Sequence, residues 1–405
     1  MPATSTTSPT GRPAPSASRQ HTLRERNLRL VAAAVVEATV PPSRADVAAA
    51  TGLTRATVST LVDRLVAGGL VAELPPVAAQ RAGRPAVPLV PARRTVVGVG
   101  LEVNVDYLGV RVLDLAGDVV ADRVERGSFH DSDPGHVLGR LREIAHGVVS
   151  DVEGAGMRAV GARLALPGLV DSHDGRLEVA PNLGWSSLDP RDLLDLRATD
   201  GTPLALEVAN EAKLAALAEL AGDVPSSFLY VSGDVGVGAA IVVDRQLFLG
   251  DRGWNGEIGH VVVDPAGPRC TCGALGCLEQ YAGKEAVMRA AHLPDDAPLA
   301  ELVELLLGHD GGANGAARRA ARALGSALAD FINLVGVPTV VLGGAFATLE
   351  PWLRDDVVAT LGERVLAAPF VELDVRAAQA GERAALTGGA REVLRSVVAD
   401  PAAWV

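Results

Sequence analysis

From Val96 onward, short apolar segments of strand length alternate with longer segments of helical periodicity. Strands are predicted at 96–101, 107–113, 119–124, 159–166, 204–208, 227–231, 238–243 and 339–342. Helices are predicted at 133–150, 211–220, 297–307 and 316–334. This alternation excludes all-α and all-β classes and predicts an α/β fold with covered sheets. No internal repeat is evident in the amino-acid sequence.

The charge of the chain is divided unequally along its length. The formal net charge is −12, but residues 1–95 carry 12 arginines and 5 acidic residues, a net charge of +7. Residues 96–405 therefore carry −19. A basic segment joined to an acidic body predicts two functions in one chain. Aromatic residues make up only 3%, which argues against modules that stack the bases of single-stranded RNA.

The basic segment divides into a tail and a small helical domain. Residues 1–20 are rich in Pro, Ser and Thr and are predicted to be a disordered tail. Residues 21–92 are predicted to form a DNA-binding domain that begins with a helix from Thr22 to about Ala38. Ser43 and Thr54 are candidate N-caps for two further helices, which end near residues 50 and 67. A hairpin is predicted over residues 71–91.

Within this domain, Ala48, Gly52, Val58 and Leu61 stand at the spacings of a helix-turn-helix. Gly52 supplies the positive φ that a tight turn requires. The second helix then presents short hydroxyls and Arg to a major groove, and the hairpin acts as a wing. The predicted DNA-binding residues are Arg44, Thr54, Arg55, Thr57, Ser59, Thr60, Arg81 and Arg84. The alternative is a small helical subdomain with a coincidental match to this motif.

All three cysteines, Cys270, Cys272 and Cys277, lie within eight residues. An odd, clustered set of cysteines is a poor disulfide framework and a good metal site. With His260 it forms a His-x9-Cys-x-Cys-x4-Cys pattern, which would complete a closed tetrahedral Zn²⁺ site of the structural type. The alternative is three buried thiols beside an unrelated histidine.

Targeting and membrane segments are not evident in the sequence. The first 27 residues lack an apolar core, and the longest uncharged run, 331–349, contains Asn, Pro and a Gly-Gly pair. We expect a cytoplasmic protein with no membrane association.

Together these motifs resemble the ROK family (repressors, open reading frames and sugar kinases), in particular its transcriptional regulators of the xylose and N-acetylglucosamine repressor type. The resemblance covers residues 22–400, and its most specific parts are the Gly-Glu-Ile-Gly-His segment 256–260 and the Cys-rich segment 270–279. It implies a winged helix-turn-helix followed, over residues 95–405, by an actin-like, ribonuclease-H-like α/β domain with two lobes around a sugar cleft.

The family resemblance also implies a set of sugar-binding residues. They are Asn182, Asn210, Glu211, Glu257, His260 and Glu279. Carboxylates and amides at these positions would pair with sugar hydroxyls and reject analogues that lack them. His260 would use one ring nitrogen for zinc and leave the other for the sugar.

The segments that match the phosphate-binding motifs of the family's kinases depart from them. Gly100–Asn104 lacks the Gly-Gly hairpin and places the Glu102 carboxylate there, and Asp234–Gly236 replaces a Gly-Thr-Gly segment. Glu211 stands at the position of the catalytic Asp. Carboxylates oppose a triphosphate, which needs backbone N–H groups and cations. We therefore expect no kinase activity and no bound ATP.

The sequence thus predicts a sugar-responsive transcriptional regulator, a repressor of carbohydrate-metabolism genes. Its expected partners are double-stranded operator DNA, a monosaccharide or sugar derivative as effector, and further copies of itself in a homodimer or homotetramer. One alternative is an active or bifunctional ATP-dependent sugar kinase of the glucokinase or N-acetylglucosamine kinase type. Another is a regulator whose acidic body binds a partner protein instead of a sugar.

Overall fold

The computed structural model describes residues 15–76, 86–234, 236–295 and 297–405, and residues 15–21 through their backbone alone. The chain forms two compact units. The first contains the residues up to Val96 together with 114–118 and 394–405. The second contains 97–113 and 119–393. Arg81 and Arg84, the predicted wing residues, lie outside the described residues, as do residues 1–14 of the predicted tail.

The first unit contains a helix-turn-helix and a two-stranded sheet. Its elements are α1 (Pro15–Val36), α2 (Arg44–Thr51), α3 (Arg55–Ala67), β1 (Val71–Glu73) and β2 (Leu89–Pro91), with β1 and β2 antiparallel. Both predicted N-caps are confirmed: Ser43 forms a capping box with Asp46, and the Thr54 side chain accepts a hydrogen bond from Thr57 N. Gly52 ends α2 with φ of 71°.

Helix α1 begins seven residues earlier than predicted. Its first turns, Pro15 to Gln20, belong to the segment that we expected to be a disordered tail. Proline is well suited to the first helical position, and the following Ala, Arg and Gln favour helix. Low apolar content alone was therefore a poor guide to the start of this helix.

Residues after 393 also differ from the expected domain boundary, because they belong to the first unit. Arg64 of α3 donates a hydrogen bond to the Val405 carbonyl at 3.1 Å. A Cβ on Gly68 would lie 2.1 Å from the Val405 side chain. The segment that we assigned to the sugar-binding domain thus completes the core of the winged unit.

The second unit is a mixed α/β structure. Its strands, the first beginning at the unit boundary, are β3 (Val96–Val103), β4 (Tyr107–Asp114), β5 (Val119–Arg126), β6 (Arg158–Leu166), β7 (Leu169–Val170), β8 (Leu177–Ala180), β9 (Trp185–Leu188), β10 (Leu206–Asn210), β11 (Phe228–Gly233), β12 (Val237–Val243), β13 (Gln246–Phe248), β14 (Thr339–Gly344) and β15 (Asp374–Ala377). Its helices are α4 (Pro134–Gly154), α5 (Pro190–Leu194), α6 (Glu211–Glu219), α7 (Glu279–Ala282), α8 (Lys284–Ala290), α9 (Leu299–Leu307), α10 (Gly311–Val335), α11 (Ala345–Arg364) and α12 (Ala384–Ala399), the last of which continues into the first unit.

Two five-stranded sheets in this unit share one strand order. The orders are β5-β4-β3-β6-β10 and β13-β12-β11-β14-β15, so each has three consecutive strands followed by two more beside the first of them. The pairs β6–β10, β11–β14 and β14–β15 are parallel, whereas β4–β5, β11–β12 and β12–β13 are antiparallel. The α/β prediction is confirmed, and the sheets reveal a repeat that the sequence does not show. The small sheet β7-β8-β9 was not predicted.

Two alanine-rich helices, α6 and α12, join the two sheets. One apolar cluster contains Ala165 from β6, Tyr230 from β11, Val341 from β14 and Ala385 from α12. Glycines permit the close contacts: a Cβ on Gly100 of β3 would lie 2.0 Å from the Leu386 carbonyl oxygen of α12. Within the described ranges, none of the helices combines the length and hydrophobicity needed to cross a bilayer.

Replacing Gly100 with alanine should therefore destabilise the second unit. The added methyl group would push α12 away from β3, and such overpacking typically lowers the free energy of unfolding by about 1–3 kcal/mol. Urea denaturation measures the change. Gly139→Ala is the matched control, because Gly139 lies in α4 with open space around its Cα and alanine there should be neutral or stabilising by about 0.5–1 kcal/mol. Equal midpoints for the two variants would contradict the close contact.

Candidate functional site

The N-terminal turns of helix α3 form an exposed polar surface. Thr54 and Arg55 are exposed, Thr57 and Ser59 are half-buried, and Thr60 is exposed. The Thr54 and Thr57 hydroxyls lie 2.8 Å apart. No hydrogen-bond partner of the Arg55 guanidinium is found among the described residues. This side chain is therefore the most available cation on the helix for contacts with a nucleic acid.

Arg44 has a different environment from the other predicted DNA-binding residues. Its guanidinium donates hydrogen bonds to Asp63 Oδ1 at 2.6 Å, to Glu73 Oε1 at 2.9 Å and to the Ser59 carbonyl at 3.0 Å. These bonds connect the start of α2 with α3 and β1. The structure thus gives Arg44 a role in holding the helix-turn-helix together, and a phosphate contact would have to compete with two carboxylates.

A polar cleft in the second unit is lined from both five-stranded sheets. Asn104 follows β3, Gly168 follows β6 and Asn210 ends β10, while Asp234 and Gly236 come from the turn between β11 and β12. Ligands of α/β proteins characteristically bind at such carboxyl ends of strands. All six predicted sugar-binding residues line this one cleft: Asn182, Asn210, Glu211, Glu257, His260 and Glu279.

Asn210 is the N-cap of α6 and holds Glu211 in place. Its Oδ1 accepts hydrogen bonds from Ala212 N at 3.0 Å and Lys213 N at 3.3 Å. Its Nδ2 donates to the Gly168 carbonyl at 3.1 Å and to Glu211 Oε2 at 3.0 Å. Both the donor and the acceptor capacity of this amide are used within the protein. Asn210 is thus arranged to position Glu211, whose carboxyl group lines the cleft.

Lys213 was not among the predicted site residues, yet it organises one wall of the cleft. Its side chain is buried on α6, and Nζ donates to the Gly253 carbonyl at 2.6 Å and to the Asn255 carbonyl at 3.0 Å. These bonds fix the segment that leads into Glu257. The available signal was composition, since Lys213 is one of only two lysines in a chain with 35 arginines.

Glu257 enters the cleft after a backbone turn that only glycine can make. Gly256 has φ of 99°, and a Cβ there would lie 2.0 Å from the Ala239 carbonyl oxygen. Burial raises the pKa of Glu257, and the charge of Lys213 opposes the shift. Burial also raises the pKa of Glu211 well above its ordinary value, with the carboxylates of Glu257 and Glu102 adding to the effect. The cleft therefore contains carboxyl groups that are suited to accept or donate hydrogen bonds.

The three cysteines and His260 converge, as the spacing predicts. Their ligand atoms all lie within 4.8 Å of one another. Cys272 Sγ is 3.6 Å from Cys277 Sγ, and Cys270 Sγ is 3.8 Å from His260 Nδ1. Tetrahedral ligands with zinc–sulfur bonds of about 2.3 Å have sulfur atoms about 3.8 Å apart. The four side chains thus form a cluster that could hold a metal ion such as zinc.

This cluster lies directly beside the cleft. His260 directs Nδ1 at Cys270 and also lines the cleft, so its Nε2 remains for other partners. Glu279, two residues after Cys277, begins α7 and also lines the cleft. A Cβ on Gly236 would lie 2.6 Å from Glu279 Oε2 and 3.3 Å from Asn182 Nδ2. The loop that carries the cysteines therefore positions two of the candidate sugar-binding residues, His260 and Glu279.

A carboxylate occupies the N-terminus of helix α11, the kind of position at which proteins often bind phosphate. Asp234 Oδ1 accepts a hydrogen bond from Ala345 N, the first residue of α11, at 3.2 Å. Asp234 Oδ2 accepts another from Ser232 Oγ at 3.3 Å. A phosphate group would have to displace this carboxylate from the helix N-terminus, and it would then be repelled by the negative charge close by.

Glu102 is an unusually buried acid at the end of β3. Its exposed fraction is 3%, and no hydrogen-bond partner for Oε2 is present in the described part of the chain. Burial raises its pKa to about 7, although hydrogen bonds from Tyr107 and Asn104 act in the opposite direction. Asp234 adds a repulsive charge.

Glu102→Gln should remove a pH-dependent destabilisation. A carboxyl group whose pKa is about 7 when folded and 4.5 when unfolded keeps a proton that the unfolded chain has released. The protonated Glu102 stabilises the fold relative to the ionised one, and this stabilisation is complete below pH 4.5 and is lost as the pH rises through 7. The free energy of unfolding of the wild type therefore falls by about 2 kcal/mol between pH 5 and pH 8 on account of this group. Urea unfolding at the two pH values measures it. Parallel pH profiles for the wild type and the variant would contradict the shifted pKa.

Comparison with known proteins identifies the family to which the chain belongs. The model of the ROK family matches residues 99–395. The xylose repressor of Bacillus subtilis strain 168 is 27% identical over 329 residues, which cover 80% of this chain and 84% of that protein. A crystal structure of a ROK family transcriptional regulator, a homologue of the Escherichia coli MLC protein, superposes with a TM-score of 0.76 at 25% identity and covers 94% of this chain and 97% of its own.

The same fold occurs in a sugar kinase. A ROK hexokinase from Thermus thermophilus superposes with a TM-score of 0.59 at 27% identity, and it covers 74% of this chain and 99% of its own. These likenesses confirm the predicted architecture, a winged helix-turn-helix joined to an actin-like two-lobed domain. Since the family model spans most of the chain, this protein belongs to the ROK family.

Proposed function

We propose that this protein is a sugar-responsive transcriptional repressor that acts in the cytoplasm. One observation carries the proposal: six polar side chains expected to bind sugar converge on one cleft, in a chain whose other unit exposes Arg55 on a helix-turn-helix. The likeness to a xylose repressor and to a ROK family transcriptional regulator supports it.

Helix α3 would enter the major groove of a double-stranded operator. Its proposed contacts are Thr54, Arg55, Thr57, Ser59 and Thr60. Arg81 and Arg84, the other two predicted DNA contacts, lie outside the described residues. Arg44 would contribute mainly by bracing α3, because its guanidinium is paired with Asp63 and Glu73.

The cleft would bind the sugar through Asn182, Glu211, Glu257, His260 and Glu279, with Asn210 as the residue that orients Glu211. An effector changes operator affinity only if it binds two conformations of the protein differently. In a homodimer or homotetramer, sugar binding would change the spacing of two winged units so that they no longer match two half-sites.

We also infer that the cysteine cluster binds a structural Zn²⁺ ion through His260, Cys270, Cys272 and Cys277. The four donor atoms and the distances between them fit a zinc ion. Four protein ligands would leave no open coordination position for catalysis, so the site would be structural. When bound, the ion would stabilise the cysteines as thiolates and hold their loop. The chain's own contribution is positional, because the loop directs His260 and Glu279 at the cleft.

Phosphoryl transfer is not part of the proposed function. Asp234 caps the helix N-terminus where a phosphate would be favoured, and Glu102 lies buried at the end of β3. The family resemblance places Glu211 at the position of the kinases' catalytic Asp, and a displacement of about 1 Å in a reacting group can reduce a rate about 100-fold. An active kinase remains the competing function because a hexokinase shares the fold.

Zinc removal should loosen the cleft. The purified protein is expected to contain one zinc per chain by elemental analysis, and a chelator should lower both the melting temperature and the affinity for sugar, because His260 and Glu279 lose their support. Added Zn²⁺ should restore both properties, whereas Mg²⁺ serves as the control and should not. Absence of zinc from unchelated protein would refute this assignment.

Operator binding provides the direct test of the whole proposal. In mobility-shift titrations with a duplex that the protein has selected from a random library, Arg55→Ala should weaken binding by about 1–3 kcal/mol. Arg322→Ala removes the same charge from an Arg that is 71% exposed in the second unit, and it should leave binding unchanged. A sugar from a panel of monosaccharides and disaccharides should release the duplex.

The other outcomes identify the competing functions. Sugar-dependent ATP turnover above about 1 s⁻¹ in a coupled assay would indicate a kinase. Operator binding that no sugar alters would indicate a regulator whose second unit binds a partner protein. Equal loss of binding in the Arg55 and Arg322 variants would indicate attraction by net charge rather than recognition by α3.

A further inference from the structure

A second cavity adjoins the cleft. Its volume is about 300 Å³, whereas that of the cleft is about 90 Å³. The two share four lining residues, Pro181, Asn182, Thr271 and Glu279. Binding sites for small molecules commonly occupy about 300–1,000 Å³. The side cavity reaches that range by itself, so it is large enough to hold a ligand group beside the one in the cleft.

The side cavity offers hydrogen-bonding groups without protein partners. Asn182, Thr271 and Gln280 line it, and within the described ranges no hydrogen bond from these three side chains to the protein is found. Uncharged amides and hydroxyls in a cavity are ligands for sugar hydroxyls, which both donate and accept. Gly283 and Ala286 line another part of the cavity and leave it open because they have small side chains or none.

The charges around both cavities disfavour a phosphate group. The side cavity has carboxylates from Asp131, Glu279 and Glu285, with His130 as a further titratable group. Arg289, the one arginine among the described residues that line it, is paired with Asp295 at 2.8 Å and with Glu285 at 3.6 Å.

The cleft adds three more carboxyl groups, Glu211, Asp234 and Glu257. No Lys or Arg of the described chain lines the cleft. Anionic ligands need paired cations or free N–H groups, and Arg289 is already paired.

We propose that the effector is an unphosphorylated sugar of at least two rings, with one ring in the cleft and the next in the side cavity. The inference rests on the proposed function and makes it more specific. Asn182 and Glu279 line both cavities, so they would contact the sugar at or near the glycosidic linkage. A monosaccharide would fill only the cleft and leave the partners in the side cavity unused.

Calorimetric titration of the full-length protein tests this with matched sugars. The pairs are xylose and xylobiose, glucose and cellobiose or maltose, and N-acetylglucosamine and diacetylchitobiose, with glucose 6-phosphate as the charged probe. We expect one disaccharide to bind at least about tenfold more tightly than its monosaccharide. We expect glucose 6-phosphate to bind no more tightly than glucose.

Two variants assign the additional affinity to the side cavity. Ala286→Phe should fill the side cavity and abolish the tighter binding of the disaccharide relative to the monosaccharide. Gln280→Ala should reduce this difference in affinity. Ala300→Phe adds the same bulk at an exposed position on α9 outside both cavities, and it should keep the advantage. Should Ala286→Phe fail to fold, Gln280→Ala decides alone.

The possible failures are distinct. Monosaccharides that bind as tightly as their disaccharides would overturn the two-ring effector, as would a preference that survives Ala286→Phe and Gln280→Ala. Tighter binding of glucose 6-phosphate than of glucose would overturn the unphosphorylated class. Binding of no sugar at all would instead contradict the proposed function, because the cleft itself would then be inactive.

Discussion

The geometry of the cleft depends on the contact of helix α12 with strand β3 and helix α6. Backbone meets backbone there: a Cβ on Gly388 would lie 1.8 Å from the Leu214 carbonyl oxygen, and one on Gly100 would lie 2.0 Å from that of Leu386. Such contacts leave little freedom to slide, because no flexible side chain can absorb a displacement. Since α6 begins at Glu211 and Asn210 caps it, this contact sets the position of the cleft's central carboxylate relative to the first sheet.

The electrostatics of the cleft are opposite to those that a nucleotide triphosphate requires. A helix N-terminus attracts an anion through its free N–H groups and its dipole. In this chain the anion at α11 is Asp234, which is covalently part of the site and therefore always present. Glu102 at the end of β3 carries an additional unfavourable charge once it ionises. The fold retains the two-sheet cleft of the family, while the chemistry of that cleft suits the recognition of hydroxyl groups.

Patterns among residues close together in the chain predicted much of this structure, whereas contacts between residues far apart in the chain were not predicted. The N-caps Ser43 and Thr54 and the alternating strands follow from residues close together in the chain, so they were predicted within a few positions. The cysteine cluster was predicted for the same reason. The bond from Lys213 to Gly253 joins residues 40 positions apart, and the cap of α11 by Asp234 spans 111 positions. Such contacts depend on how the sheets pack, which periodicity does not encode.

Control of DNA binding by the cleft requires a structural connection between the units, and the covalent chain provides several. The boundary between the units crosses the chain at 96–97, on both sides of 114–118 and at 393–394. The last crossing lies inside α12, the helix that supports α6. Residues that follow α12 contact α3 through the bond from Arg64 to Val405. These crossings are the covalent route by which a conformational change of the second unit would reach the first, and a sugar drives such a change only if it binds the two conformations with different affinity.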